Sequence, residues 1–333
     1  MRTGILFGLL VGWALVASSA PDPHDFPRTT VLDDRPAVTL RHLARFYGFP
    51  RPRPDDRVVE MVNEQHHLMF ERDSRRMQIN GVNVWLHEPI IAHRRAWLVS
   101  AEDLRAAIDP VLRPSVHVEQ AGYRVIVLDP GHGGRDEGGR GTMGTLEKDM
   151  VLTISRQVAA LLQKAGHPVY MTREDDRYLS LEERVVFARE READVFVSIH
   201  FNASANREAR GTETFVLSAG DHPSTSSGGG ETHPPPVPAN AFDGANMLLG
   251  YSIQRNLLKT TENEDRGVRR ARYFVLREAV SPAVLVECAF LTNPQEEREL
   301  HRVEYQRRLA HGIAQGILEY LAATLRAQLQ DVL

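Results

Sequence analysis

The sequence predicts an α/β protein whose main part is a twisted mixed sheet with helices on both faces, preceded by a small α+β domain. Two observations lead to this prediction. After residue 122, short apolar strand-like runs alternate with helix-like stretches, which is typical of a sheet covered by helices on both sides. Before residue 118, a short amphipathic helix and a hairpin signal indicate a smaller unit. We therefore divide the chain into residues 30–118 and residues 122–325.

The elements of the larger unit follow from its apolar patterns. The strand candidates are RVIVLD, PVYMT, DVFVSIH, ETFVLS, YFVL and AVLVEC. A helix candidate follows the first strand and a glycine-rich loop, with an apolar stripe made of Val151, Ile154, Val158, Leu161 and Leu162. The sequence KAGHP then ends this helix with a glycine and a proline. The last helix repeats an apolar residue at every fourth position, at Leu309, Ile313, Ile317 and Leu321.

The smaller unit combines a helix with strands. TLRHLARFY has helical apolar periodicity, and Asn80-Gly81 lies between two strand-like runs. These two residues predict a type I′ hairpin, because both turn positions need a positive φ. The runs INGVNVWL and WLVSAEDL resemble the small domain at the N-terminus of some copper amine oxidases, and this resemblance supplies no catalytic residue. We interpret His66 and His67 as structural, because neighbours in a strand point to opposite faces.

Composition excludes several classes of protein before any motif is considered. The chain has 333 residues, is 42% apolar and 25% charged, and carries a net charge of −4. The apolar and charged contents are ordinary for a globular protein. The charge is too small to indicate binding to nucleic acid or to an anionic membrane surface. The single cysteine, Cys288, excludes an intrachain disulfide, and its apolar surroundings in the sequence predict a buried side chain.

Residues 1–20, MRTGILFGLLVGWALVASSA, predict a secretory signal peptide. Arg2 precedes an apolar run from Gly4 to Val16, and small residues follow this run. The run is shorter than the stretch of about 20 residues that a transmembrane helix needs, so we expect no transmembrane segment. The mature protein is therefore expected to be exported.

Residues 218–244 interrupt the pattern of the larger unit. This insert, SAGDHPSTSSGGGETHPPPVPANAFDG, is rich in proline, glycine and serine, which predicts a long mobile loop. It follows the strand after the one that ends at His200, so we expect its ends to lie near the carboxyl edge of that strand. Its histidines, His222 and His233, are expected to be solvated.

A glycine-rich stretch joins the first strand of the larger unit to its first helix. Residues 125–149, VIVLDPGHGGRDEGGRGTMGTLEKD, contain seven glycines. A phosphate-binding loop is the first interpretation, but Asp136 stands where a dinucleotide fingerprint starting at Gly131 requires glycine, and no G-K-[ST] follows. We infer that the glycines allow the backbone to approach a side-chain-bound ion and a bulky substrate closely.

Three candidate metal ligands lie at strand ends or at the start of a helix: His132, Glu147 and His200. In an open α/β sheet, ligands bind at the carboxyl edge of the strands. Two imidazoles and one carboxylate leave a fourth tetrahedral position for water, which is the arrangement of a catalytic zinc site. Glu287, at the end of AVLVE, is expected at the same edge as a base that accepts the proton of that water and passes it to a leaving amine.

Five motifs give the larger unit a specific resemblance. VLDPGHGG, GTLEKDM, TREDDRYLSLEERVVFA, ADVFVSIHFNA and VLVECAFLTNPQEE, in this order, resemble the zinc-dependent N-acetylmuramoyl-L-alanine amidases of the amidase type 3 group, over residues 124–321. The resemblance implies that His132, Glu147 and His200 bind Zn²⁺ and that Glu287 is the catalytic glutamate. It also implies that the substrate is peptidoglycan, cleaved at the amide between the lactyl group of N-acetylmuramic acid and L-alanine of the stem peptide.

The resemblance also carries expectations about location and partners. An exported amidase is expected in the periplasm or the cell wall, in cell-wall turnover or daughter-cell separation. Residues 30–118 are then a candidate contact for the wall or for an envelope protein partner. In some relatives, a helical segment at the place of the insert plugs the active site until a partner removes it. The prolines of the insert disfavour such a helix, so regulation by a partner stays open.

Several further residues have two interpretations. Arg189 stands where relatives often carry asparagine, on a predicted helix surface, and we expect little consequence. Arg173, Asp176 and Arg184 could contact substrate, but a structural ion-pair network is at least as good an interpretation. Glu213 in GTETFVL could support the site from behind its ligands.

Other functions stay open on the residues alone. A zinc peptidase that acts within the stem peptide would use the same ligands. A wall-binding protein without activity would keep the fold but would not need all four site residues. A two-carboxylate glycosidase could use Glu147 and Glu287, but it would explain neither histidine.

Overall fold

The computed structural model describes residues 25–32, 34–53, 57–93, 96–117, 125–225 and 233–330. The predicted signal peptide at residues 1–20 lies outside these residues and stays a prediction. Within the described ranges, no helix combines the length and the apolar character that crossing a membrane requires.

The bounds of the elements are as follows. The strands are β1 Thr30–Leu32, β2 Arg35–Thr39, β3 Val58–Val62, β4 His67–Glu71, β5 Arg76–Ile79, β6 Val82–Trp85, β7 Ile91–His93, β8 Ala96–Ser100, β9 Ile126–Pro130, β10 Val169–Met171, β11 Val195–Asn202, β12 Thr212–Leu217, β13 Asp265–Ala271 and β14 Ala283–Phe290. The α-helices are α1 Leu40–Phe46, α2 Ala101–Asp103, α3 Asp109–Leu112, α4 Glu147–Lys164, α5 Leu181–Glu190, α6 Asp243–Thr261, α7 Phe274–Arg277, α8 Pro294–Leu300 and α9 Val303–Gln330. A π-helical turn, Leu104–Ile108, joins α2 to α3, and short 3₁₀ turns cover Pro114–Val116 and Pro238–Phe242.

Ten strands form one mixed sheet in the order β10-β9-β11-β14-β12-β13-β6-β5-β4-β3. Strands β10, β9, β11 and β14 are parallel to one another, whereas β12 is antiparallel to β14. Helices α4, α6 and α9 pack on one face of the sheet, and α5 and α7 pack on the other. A sheet of both strand directions with helices on both faces confirms the predicted fold class. A second sheet, with the order β1-β2-β8-β7, lies in the N-terminal part.

The strand predictions are confirmed with one exception. YFVL was predicted as a strand, but Phe274–Arg277 is the helix α7, which buries Val275 and Leu276. A short apolar run cannot be assigned to helix or strand by its periodicity, which explains this wrong prediction. The strand of this region is instead β13, whose sequence DRGVRRA has no apolar alternation. The predicted last helix is confirmed as α9, which buries the apolar positions that the pattern named.

The N-terminal part and the larger unit share one sheet and one core. Strand β6 pairs in parallel with β13 through Val84 and Val268. Gly267 permits this pairing, because it has a φ of +91° and an added Cβ would lie 2.7 Å from the Asn83 carbonyl oxygen. One continuous hydrophobic cluster contains buried residues of α1 and β3–β6 together with those of α4, α6 and α9. The predicted hairpin is confirmed between β5 and β6, where both Asn80 and Gly81 have a positive φ.

The described parts of the insert lie at the sheet edge opposite to the one that sequence analysis predicted. Because β12 is antiparallel to β14, the carboxyl end of β12 lies at the amino edge of β11 and β14. Ser218 is therefore about 17 Å along β12 from Glu213, at roughly 3.4 Å per residue. The prediction that the ends of the insert lie near the edge carrying His200 was wrong.

The described parts of the insert also pack against the fold. Thr225 exchanges hydrogen bonds with the backbone of Arg270, and the Asn240 side chain donates to the Ser218 carbonyl oxygen over 3.0 Å. The His222 ring lies 4.4 Å from the ring of His87, and its side chain is 14% exposed. The prediction of a solvated histidine was wrong for His222, whereas His233 is exposed as predicted. Residues 226–232 of the insert lie outside the described residues.

Candidate active site

The candidate site lies at the carboxyl edge of β9, β11 and β14. His132 follows β9 after one glycine, His200 is near the end of β11, and Glu147 is the first residue of α4. His132 has a φ of +58°, a conformation that non-glycine residues seldom adopt and that is often found at functional sites. The structure thus brings the three predicted metal ligands together from three different elements.

The ligand atoms converge closely. One ligand atom from each of His132, Glu147 and His200 can be chosen so that all of them lie within 4.8 Å of one another. The Glu147 Oε1 atom is 3.1 Å from His132 Nε2 and 3.0 Å from His200 Nδ1. The two imidazole rings are 4.9 Å apart and nearly perpendicular. Such a set of two ring nitrogens and a carboxylate oxygen fits a divalent transition-metal ion with an open position.

Glu147 is held rigidly for this task. Its side chain is 5% exposed, and it accepts hydrogen bonds from the Gly139 N–H to Oε2 over 2.7 Å and from the Phe201 N–H to Oε1 over 3.0 Å. Burial alone would raise the pKa of Glu147, but the hydrogen bonds from both histidines outweigh it and lower the pKa below its usual range. The group is therefore an ionised carboxylate, the form that binds a metal ion.

Glu287 lies beside the triad. It is the register partner of His200 on the adjacent parallel strand, so both side chains point to the same face of the sheet. Glu287 as a whole is partly exposed, but its Oε2 atom is buried and lacks a hydrogen-bond partner among the described residues. Burial, followed by repulsion from Glu147 and Glu213, raises the pKa of Glu287. An orphaned carboxyl atom next to three converging ligands fits a group that exchanges protons with a metal-bound species.

Glycines allow the loop to approach these side chains closely. A Cβ added at Gly131 would lie 2.1 Å from His200 Cε1, and one at Gly138 would lie 2.6 Å from His132 Cδ2. No side chain fits at such distances, so the glycines let the backbone approach the candidate ligands closely, while its approach to an ion and a substrate stays a prediction. The other ring nitrogen of His132, Nδ1, lies 3.0 Å from Asp136 Oδ2, and this contact orients the ring.

A residue that sequence analysis missed holds the far end of the loop. Glu297, on α8, is fully buried and accepts hydrogen bonds from the Thr142 hydroxyl and from the N–H groups of Met143 and Thr145, over 2.7–3.3 Å. An added Cβ at Gly141 would lie only 2.0 Å from Glu297 Oε1. These contacts fix the chain just before Glu147. The only sequence signal is a second acidic residue in NPQEE, which does not distinguish Glu297 from its neighbour.

The two candidate substrate arginines are held by contacts within the protein. Arg173 is fully buried and donates to the carbonyl oxygens of Pro130 and Gly131. Arg184 is 3% exposed, pairs with Asp129 over 2.7 Å and donates to the His132 carbonyl oxygen. Both guanidinium groups thus support the backbone beneath the site. Their interpretation as a structural ion-pair network is the one that these contacts favour.

A cleft of about 420 Å³ opens at the site. His132, His200 and Glu287 line it together with side chains from α5 and from the segment before α7. Tyr178, Leu181 and Tyr273 stay 39–51% exposed at its borders. Among the described residues that line the cleft, none belongs to the insert.

The fold and the site together define a class of protein. A mixed α/β sheet with a two-histidine, one-glutamate cluster at its carboxyl edge and a nearby orphaned carboxyl group is typical of metal-dependent hydrolases. Residues 126–319, more than half of the chain, match the family described as N-acetylmuramoyl-L-alanine amidase. The chain belongs to this family.

Individual relatives agree with this assignment. The chain is 36% identical over 220 residues to the N-acetylmuramoyl-L-alanine amidase AmiC of Escherichia coli, a match that covers 60% of this chain and 53% of AmiC. The chain thus spans about half the length of that relative. It also matches the amidase AmiC2 of Nostoc punctiforme with 33% identity and a TM-score of 0.51, over 61% of this chain and 99% of that one. CwlD of Clostridioides difficile, solved in complex with the GerS lipoprotein, matches with 29% identity and a TM-score of 0.50, over 60% of this chain and 98% of that one.

Proposed function

We propose that this protein is a zinc-dependent N-acetylmuramoyl-L-alanine amidase that hydrolyses the amide between the lactyl group of N-acetylmuramic acid and L-alanine of the stem peptide. The observation that carries the proposal is the convergence of His132, Glu147 and His200 beside Glu287. Family membership supports the choice of substrate.

Each residue of the site has a chemical role in this proposal. His132, Glu147 and His200 would hold the zinc ion, which would polarise the substrate carbonyl group and lower the pKa of the attacking water. Glu287 would accept a proton from that water and deliver it to the amine of L-alanine as the amide bond breaks. No hydrogen bond from the described part of the chain reaches its Oε2 atom to compete with this transfer.

The cleft suits a sugar with an attached peptide. Exposed rings at its borders, Tyr178 and Tyr273, offer flat apolar surface on which a sugar can pack. Asp136 holds the ring of His132, and buried Asp129 accepts hydrogen bonds from Thr172 and Ser198 directly below the site. These contacts preorganise the ligands before substrate arrives.

The proposal extends to location and partners. The sequence of residues 1–20 supports export, so the protein acts in the periplasm or the cell wall on peptidoglycan. Residues 30–118, which resemble the N-terminal domain of copper amine oxidases, contact the wall or an envelope protein. The insert acts as a border of the fold rather than as a plug, since its described parts lie at the amino edge of β11 and β14.

Removal and return of the metal test the zinc assignment. Purified peptidoglycan sacculi incubated with the protein should release stem peptides, and a chelator should stop the release. Added Zn²⁺ should restore it, whereas Mg²⁺ should not, because nitrogen ligands disfavour that ion. Undiminished release after the bound metal has been removed would contradict the proposal.

A further inference from the structure

The face of the sheet that carries Glu287 continues beyond the cleft. Glu213 on β12 is the register partner of Glu287 on β14, so the two side chains lie on the same face. The next strand, β13, brings Arg269 to Glu213, with a distance of 3.1 Å from Arg269 to Glu213 Oε2. Strand β6, from the N-terminal part, follows β13 in the sheet. The surface next to the catalytic glutamate is therefore built by both parts of the chain.

Glu213 is the centre of a polar cluster on this surface. Its Oε2 atom accepts from both Arg266 and Arg269 over 3.1 Å, and its Oε1 atom accepts from the Asn202 amide over 2.7 Å. Glu213 is 5% exposed, whereas the arginine side chains are 29% and 15% exposed. Two guanidinium groups face one carboxylate, so the cluster keeps a net positive charge next to the site.

The N-terminal part orients these arginines through one residue. The Trp85 indole N–H donates to the Arg266 carbonyl oxygen over 2.9 Å, and its ring lies 4.8 Å from the guanidinium carbon of Arg269. Such a cation–π contact holds the guanidinium plane in one orientation. The Arg269 Nε atom is buried and has no hydrogen-bond partner among the described residues, so a ligand would reach the guanidinium group through the 15% of its side chain that stays exposed.

We propose that Arg266, Arg269 and Trp85 form a second subsite, which binds a carboxylate of the stem peptide. The inference rests on the proposed function and specifies its substrate. In the proposed reaction Glu287 delivers a proton to the leaving amine, so the stem peptide would continue from that side of the scissile bond. Arg269 lies two strands from Glu287 and is level with Leu285, two residues earlier on β14, which puts the two backbone positions about 12 Å apart, a distance that about four extended residues can cover. The planar guanidinium groups suit a carboxylate at that distance.

The test compares two substrates in each protein variant. One is a soluble N-acetylmuramoyl peptide with free carboxylates in its stem, and the other is the same molecule with those carboxylates amidated. The full-length protein should cleave the free acid with a kcat/KM about 10-fold higher, mainly through KM, as expected for one charge-assisted contact. Arg269→Gln should reduce this preference to about 2-fold and leave cleavage of the amidated substrate nearly unchanged. Arg302→Gln, at an exposed arginine that pairs with Glu299, is the matched control and should keep the full preference.

The outcomes separate this inference from the proposed function. Cleavage of neither substrate by the full-length protein would overturn both. Equal cleavage of the two substrates would overturn the subsite alone, and so would an Arg269→Gln variant that loses the same factor on both. The ratio is measured within one protein preparation, so a smaller folded fraction cancels. If Arg269→Gln does not fold, Arg269→Lys keeps the charge beside Glu213, and an unchanged 10-fold preference in a folded Arg269→Lys protein would likewise contradict the planar contact.

Discussion

His200 and Glu287 are register partners on adjacent parallel strands, and this pairing places the proposed catalytic carboxyl group beside a candidate metal ligand. Parallel strands have their carboxyl ends at the same edge of the sheet, so residues near those ends lie close together without the help of a loop. Glu147 comes from α4, whose start is fixed by Gly139 and Phe201 backbone N–H groups. The rigid elements of the sheet therefore define the geometry of the site.

Loss of either histidine should remove the metal. His132→Ala and His200→Ala leave only two protein ligands, and we expect less than about one tenth of the zinc content of the unmodified protein. Metal analysis of the purified proteins checks this, with His67→Ala as a control at an exposed histidine. Full zinc retention in both ligand variants would contradict the assignment.

Replacement of Glu287 should separate metal binding from turnover. Glu287→Gln keeps the shape of the side chain but cannot accept the proton, so turnover should fall by about 10²-fold or more. Zinc content should stay the same, because Glu287 is not a ligand. The melting temperature should not fall, since burial raises the pKa of this carboxyl group and an amide avoids placing a charge there. Activity close to that of the unmodified protein would leave Glu287 with a structural role only.

Glu297 should matter for the metal although it does not touch it. Glu297→Gln weakens the hydrogen bonds to residues 142–145 and lets the chain before Glu147 move. Loss of a hydrogen-bonding residue that supports metal ligands typically lowers metal affinity by about 10–100-fold. For Glu297→Gln we expect a loss of zinc affinity of about 10-fold. Zinc affinity, measured by competition with a chromophoric chelator, is the readout, and Glu299→Gln on the same helix is the control. A lower melting temperature with unchanged zinc affinity would show that Glu297 stabilises the fold alone.

Removal of the N-terminal part should destabilise the catalytic part. The sequence alone predicts a separate N-terminal domain that supplies no catalytic residue, so a protein starting near Val118 would be expected to cleave a soluble muropeptide about as well as the whole protein. The structure predicts otherwise, because a protein starting at Val125 would leave β13 as an open edge and expose the side of α6 where the Tyr251 hydroxyl donates to Ile79. We expect the melting temperature to fall by about 10 °C or more, or the protein to aggregate. An unchanged melting temperature with full activity on soluble muropeptide would show that the two parts are independent.

Local motifs made it possible to predict from the sequence that the candidate ligands lie together, whereas no local motif indicated the long-range packing of the strands. His132, His200 and Glu287 each follow an apolar strand in the sequence, so their shared edge could be inferred. Strand β13 could not be inferred, because its arginines pair with Glu213, a partner more than fifty residues away in the chain. The pairing of β6 with β13 depends on the fit of Gly267 against Asn83. A periodic pattern of apolar residues does not indicate such a contact.

The direction of β12 explains why the insert was predicted at the wrong edge of the sheet. The insert was expected at the metal edge, because its strand follows β11 in sequence and was assumed to run the same way. β12 instead runs antiparallel to β14, which moves Ser218 to the opposite edge. Sequence patterns give the faces of a strand but not its direction in the sheet.

The position of bond cleavage is the most direct test of the proposed reaction. Muropeptides are hydrolysed in water enriched in heavy oxygen, and the products are analysed by mass spectrometry, with Glu287→Gln as the inactive control. We expect the label in the lactyl carboxylate of N-acetylmuramic acid and an unlabelled stem peptide with a free L-alanine amine. A label in a carboxylate of the stem peptide would show a peptidase, and a label at the reducing end of the sugar would show a glycosidase; either result would contradict the amidase assignment.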